Sequence, residues 1–226
     1  VSADKPWLKF YPPNVPKKIK IPEIRIDELL HEAAEESPNR VAMDFLGKTL
    51  TYRELDTLVD RFATALADLG VASGDVVAIM LPNSPQFAIA YYAISRIGAT
   101  ATTMNPLYSP REVEHQITDS GAKTLIILDA LYPNVKEVVK KAGVEKVIIT
   151  SLGDFMPAVK KALGKLLKKI PVAQVEPEPG IYRMIELIKS HPPNPPAPKK
   201  KVKPKKDTAV LLYTGGTTGL PKGAML

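Results

Sequence analysis

Hydrophobic and polar positions along this chain switch repeatedly between a period near two and a period near 3.6. Residues 41–46 and 49–52 flank Gly47-Lys48, a spacing that predicts a short β-hairpin. Leu55, Leu58, Val59, Phe62, Leu66 and Leu69 then recur at helical spacing, and Gly70 stops the helix. Its start is marked by Thr51-Tyr52-Arg53-Glu54, a capping box in which the Thr51 hydroxyl accepts from the third amide while Glu54 reaches back. Residues 76–81 are an unbroken apolar run, as a strand buried on both faces requires. Ser84-Pro85 opens a second helix that runs to Ile97, before Gly98.

The alternation continues. Ser109-Pro110-Arg111-Glu112 is another capping box, leading a helix to Asp119; a strand is predicted at 125–128, a helix at 133–141 and a strand at 147–150. Strands alternating with helices of this length predict crossover units, hence an α/β fold with a mainly parallel sheet flanked by helices. A further strand is predicted at 207–214.

Two segments depart from the pattern. Residues 157–170 read as a helix on which Val159, Leu163, Leu166, Leu167 and Ile170 fall within about 100° of one another, with Lys160, Lys161, Lys165, Lys168 and Lys169 around the rest of the circle. Such a helix either docks on its own protein or lies on an anionic lipid surface. Residues 192–206 hold six prolines and six lysines and are expected to be an extended linker without regular structure. The chain therefore divides into an N-terminal α/β subdomain at 1–191, a linker at 192–206, and a strand and loop at 207–226 that begin another subdomain.

Composition changes this picture in three ways. The 226 residues are 45% hydrophobic and 24% charged, enough to bury a core. The formal charge of +7 is local: 155–170 and 199–206 together hold eleven lysines and no acid, and without them the chain would stand at −4. No cysteine is present, which excludes disulfides, thiolate catalysis and cysteine-held metals. No apolar run approaches the ~18 residues of a membrane span, and the first residues lack a signal-peptide core. A cytoplasmic protein is expected, with attachment to the inner membrane face if the basic helix meets lipid. The chain lacks an initial Met and stops directly after a motif, so it reads as a fragment.

The candidate chemistry lies in Tyr213-Thr214-Gly215-Gly216-Thr217-Thr218-Gly219-Leu220-Pro221-Lys222-Gly223. Four glycines in nine residues let backbone amides face an anion, three threonine hydroxyls add donors, and Lys222 supplies a mobile positive charge. It is not a Walker A loop, because Pro221 precedes the lysine and Gly223 follows it. The ordered string resembles the phosphate loop of the adenylate-forming superfamily, which includes acyl- and aryl-CoA synthetases, luciferases and nonribosomal adenylation domains; Gly215 stands where that loop usually has Ser. Thr51-Tyr52-Arg53-Glu54-Leu55, the run from Gly74 to Ser84, and Asn105-Pro106-Leu107-Tyr108 with Glu114-His115-Gln116 and Asp119-Ser120-Gly121 resemble upstream motifs of its fatty-acyl and coumarate branch.

The resemblance implies an AMP-forming fatty-acid–CoA ligase that uses ATP, Mg2+ and coenzyme A. Thr214, Gly215, Gly216, Thr217, Thr218, Gly219 and Lys222 would hold the ATP phosphates, with Thr217 on the magnesium; no catalytic residue is expected in this stretch, which alone should be inactive. The other readings are an aryl-CoA (coumarate-like) ligase, an amino-acid adenylation domain and, more remotely, a basic nucleic-acid module. Neither lysine cluster contains arginine or interleaved aromatics, which argues against nucleic acid as a partner. Partners admitted by the reading are fatty acid, ATP, CoA, an anionic membrane surface and a second copy in a homodimer. His31, His115 and His191 are expected to be structural or solvated, Trp7 to pack against the body, and Asp56 and Asp60 to be like charges on an exposed helix face.

Overall fold

The computed structural model describes residues 5–166, 172–215 and 220–226. After a 3-10 turn at Pro6–Phe10, the elements in chain order are α1 (Ile26–Glu36), β1 (Val41–Phe45), β2 (Lys48–Thr51), α2 (Tyr52–Asp68), β3 (Val76–Met80), α3 (Pro85–Arg96), β4 (Thr100–Thr103) and α4 (Pro110–Ser120). They continue with β5 (Thr124–Leu128), α5 (Tyr132–Lys141), β6 (Lys146–Thr150), α6 (Ala158–Leu166), β7 (Ile181–Arg183), α7 (Met184–Ser190), β8 (Val210–Thr214) and β9 (Lys222–Met225).

β1 and β2 form the expected hairpin, but its two-residue turn is Leu46-Gly47, since Phe45 pairs with Lys48. Both turn residues have positive φ, 55° and 85°, the condition for a turn whose twist matches the strands; the Asp44 carboxylate accepts from the Gly47 amide at 2.9 Å. The capping boxes at Thr51 and Ser109 are both present, and Ser84 caps α3 with Pro85 at its first turn.

Among the described residues, seven strands make one sheet in the order β7-β6-β5-β3-β4-β8-β9, parallel throughout except for the β8–β9 hairpin at one edge. β3 sits between β4 and β5 with every residue from Val77 to Met80 buried, as its apolar run demands. On one face, α2, α3 and α7 cover a core that includes Phe62, Leu66, Ile89 and Ile94; on the other, α4 and α5 cover Val113, Ile117 and Val139. β8 lies against β4, with Ala101 opposite Val210 and Thr103 opposite Leu212, so its ladder is supplied by a strand 107 or more residues earlier. The Thr100 hydroxyl adds a bond to the Thr208 carbonyl at 2.8 Å.

Two further expectations change. Asp56 and Asp60 are not an exposed pair: Arg96, 8% exposed, donates to Asp56 at 2.8 Å and to Asp60 at 2.5 Å, with the buried Asp27 3.4 Å from its Nε. The reason is that α2 packs on α3, so the acidic stripe faces a cation that sequence spacing does not reveal. His31, expected to be structural or solvated, has a structural part in the same group through Asp56 at 3.0 Å. Trp7 stays half exposed in its 3-10 turn. Residues 192–209 form neither helix nor strand and run along the amino end of the sheet, where Pro198 and Val202 approach Gly98.

Candidate phosphate-binding site

The site starts from a strand whose two ends differ. Val210 is buried in β8, whereas Leu212 and Thr214 are exposed, so the strand emerges from the sheet toward its carboxyl end. Being parallel to β4, β8 delivers its loop to the edge where β3, β4 and β5 also end, the side on which open α/β sheets bind ligands. Tyr213 pairs with Gly223 and Thr214 with Lys222, so the glycine-threonine loop is closed by a two-stranded stem. Thr214 and Lys222, both exposed, face one another across its mouth, the Thr214 hydroxyl 3.4 Å from the Lys222 carbonyl. Gly215 is exposed, with none of the described residues within 4 Å of the position a side chain would take. Gly216, Thr217, Thr218 and Gly219 lie outside the described residues.

Gly223 has a specific cause. A methyl group there would lie 3.1 Å from the Tyr213 ring, so any larger residue would press the aromatic side chain that crosses the stem. Tyr213 in turn donates its hydroxyl to the Asp119 carboxylate at 2.5 Å, and burial together with that anion pushes the phenol well above its usual value. The His115 ring stands edge-on to Tyr213 at 6.3 Å, and its Nε2 donates to the Pro221 carbonyl at 2.9 Å, which fixes the tautomer in which Nε2 carries hydrogen. Below them the buried Gln116 amide donates to the Thr102 hydroxyl at 2.8 Å, and that hydroxyl donates to the Leu211 carbonyl at 3.2 Å. Sequence spacing missed these contacts. The only local hint was that His115, Gln116 and Asp119 share one face of a capped helix.

The basic helix is separate from this stem. α6 is described to Leu166; Lys168 and Lys169 lie outside the described residues, and of Lys161 and Lys165 only the backbone is described. Lys160 donates to the Leu46 carbonyl at 2.7 Å, while Val159 and Leu163 remain 79% and 54% exposed. A groove of 730 Å³ also lies elsewhere: Glu23, Arg25, Glu28, Lys201, Lys203 and Lys205 line it at the amino end of the sheet. No group of three His, Asp or Glu side chains among the described residues is placed to hold a metal.

Residues 30–226 match the model of the family described as AMP-binding enzyme. Long-chain-fatty-acid–CoA ligases of Bacillus subtilis (strain 168) and Yersinia pestis are 35% and 37% identical to this chain over 100% and 99% of its length. The chain spans 40% of the length of each of these curated relatives. Among solved structures, a long-chain-fatty-acid–CoA ligase from Archaeoglobus fulgidus superposes with a TM-score of 0.72 at 28% identity, over 92% of this chain and 38% of that one. An anthranilate–CoA ligase bound to anthranoyl-AMP shares the fold, with a TM-score of 0.73 at 21% identity, over 91% of this chain and 35% of that one. A glycine-threonine loop held on a parallel sheet and a family match across most of the residues agree: the chain belongs to the AMP-binding enzyme family.

Proposed function

We propose that this chain is the phosphate-holding part of an AMP-forming fatty-acid–CoA ligase. The observation that carries the reading is the β8–β9 stem, which sets Thr214 and Lys222 on opposite sides of one loop mouth at the ligand-binding edge of the sheet. In the reaction, a carboxylate oxygen attacks the α-phosphorus of MgATP and pyrophosphate leaves; the sulfur of CoA then displaces AMP from the acyl carbonyl. The task of the loop is electrostatic. Lys222 and the amides from Gly215 onward neutralise the charge that gathers on the departing pyrophosphate, with Gly216, Thr217, Thr218 and Gly219 assigned by the motif. Magnesium belongs to this reading as part of the nucleotide substrate, with the Thr217 hydroxyl as its protein contact.

Fatty acid is favoured over an aromatic acid because relatives named long-chain-fatty-acid–CoA ligase match essentially the whole chain, whereas 4-coumarate–CoA ligase 4 of Arabidopsis thaliana matches 80% of it at 33% identity. The exposed Val159 and Leu163 beside Lys160 support a peripheral position on anionic lipid, where such a substrate partitions. No helix among the described residues is long and apolar enough to cross a membrane. ATP–pyrophosphate exchange in the full-length protein tests the function, with palmitate and coumarate compared. Palmitate should support exchange, and Lys222→Ala should lower it by roughly 10²–10³-fold. Exchange driven by coumarate alone, or unaltered by Lys222→Ala, would remove this reading.

A further inference from the structure

Both stems of the phosphate loop are held by one helix. Tyr213 lies two residues before Gly215, and Pro221 one residue before Lys222; α4 grips the first through Asp119 and the second through His115. These bonds bridge 94 and 106 positions of sequence, so nothing local enforces them. They are not isolated contacts. The His115 ring also braces the Tyr213 ring, Tyr213 covers Gly223, and Gln116, on the same helix face, reaches the β8 backbone through Thr102. The loop stem is therefore tied to α4 above the sheet and through β4 within it.

We propose that His115, Asp119 and Tyr213 form a positioning latch for the nucleotide phosphates, an inference that rests on the ligase reading for its kinetic consequence. None of the three touches the reacting atoms. Their effect is on the geometry of the mouth: with Pro221 tied to His115 and Tyr213 to Asp119, Thr214 and Lys222 keep the separation that β8–β9 pairing sets. An anion then meets donors already in place, and little rearrangement is needed on binding. What His115 supplies to the Pro221 carbonyl is an N–H donor. Glutamine can present a similar donor, whereas alanine cannot.

Two measurements test the latch. Hydrogen–deuterium exchange of peptides covering 211–226 should speed up roughly 3- to 10-fold in His115→Ala and in Tyr213→Phe, each of which deletes one bond, and return toward the parent in His115→Gln. Glu114→Gln, which loses only the surface pair with Lys141, should leave those peptides unchanged. In the full-length protein, His115→Ala and Tyr213→Phe should raise KM for MgATP by a similar factor with KM for the fatty acid unaltered, and the double variant should lose up to about 100-fold in kcat/KM for MgATP. A purely structural role would lower the melting temperature and active fraction and leave both KM values in place. If the parent protein shows no carboxylate-dependent exchange, the ligase reading falls, and the deuterium experiment still decides the latch. Unchanged protection of 211–226 in both single variants would overturn it.

Discussion

Arg96→Met is the sharpest test of how this subdomain is held together. Arg96 sits on α3 with 8% of its side chain exposed and serves three carboxylates: Asp56 at 2.8 Å, Asp60 at 2.5 Å and Asp27 at 3.4 Å. Burial by itself would raise the Asp27 carboxyl, but the Arg25 fork, the Ser95 hydroxyl and Arg96 outweigh it and hold Asp27 below the usual carboxylate range. Methionine keeps the apolar stem and removes the cation. Asp27 still has Arg25 at 3.0 Å, so the loss falls mainly on Asp56 and Asp60, whose side chains are 12% and 24% exposed. Breaking a buried pair costs about 3–5 kcal/mol. The residual exposure of Asp60 places this site near the lower end, about 3 kcal/mol. For a chain of this size the melting temperature should fall by roughly 6–12 °C, read by circular dichroism alongside urea unfolding of the same chain. Adding Asp56→Asn and Asp60→Asn should recover about half the loss, since the stranded charges are then gone. A loss below about 1 kcal/mol, the worth of an exposed surface pair, would refute the reasoning.

Three other outcomes are expected. The Asp56 carboxylate holds the His31 imidazole above its ordinary value near 6.5, so His31 contributes stability that is full below that value and is lost as pH rises through the higher folded one; His31→Gln should flatten stability between pH 6 and 8, and an unaltered slope would deny the link. His31 is half exposed, so the effect should stay below about 1 kcal/mol. Gly180 has φ +85° and its missing Cβ would lie 2.8 Å from the Glu145 carbonyl, so Gly180→Ala should cost about 1–3 kcal/mol and loosen β7 from β6; a melting temperature equal to the parent's would exclude the strain. For α6, co-sedimentation with anionic but not neutral vesicles is expected and should weaken with salt; Gln at positions 160, 161, 165, 168 and 169 should abolish it, and equal binding by the two proteins would favour a docked helix.

What the sequence determined by itself was whatever physics acts over a few residues. The capping boxes at Thr51 and Ser109 are three-residue hydrogen-bond exchanges, and each starts a helix where the side chains say it should. The apolar runs of β3, β5 and β6 announce strands buried on both faces, and their alternation with helices is enough for a parallel α/β sheet. The phosphate loop was legible as an ordered string of glycines, threonines and a lysine, because its chemistry is carried by one contiguous segment.

Tertiary structure decided everything that depends on which segments meet. β4 reads Thr-Ala-Thr-Thr and carries no apolar run, yet it is almost wholly buried because β3 and β8 flank it. β8 gains a partner from that same strand, which makes it a member of the sheet. Asp56 and Asp60 look like surface charges until α3 brings Arg96 against them. His115 looks idle until the β8–β9 hairpin folds back over α4 and sets the Pro221 carbonyl in its path. Helical and strand periods record which face of an element is apolar; they carry no information about which polar group another element, a hundred residues away, will place opposite it.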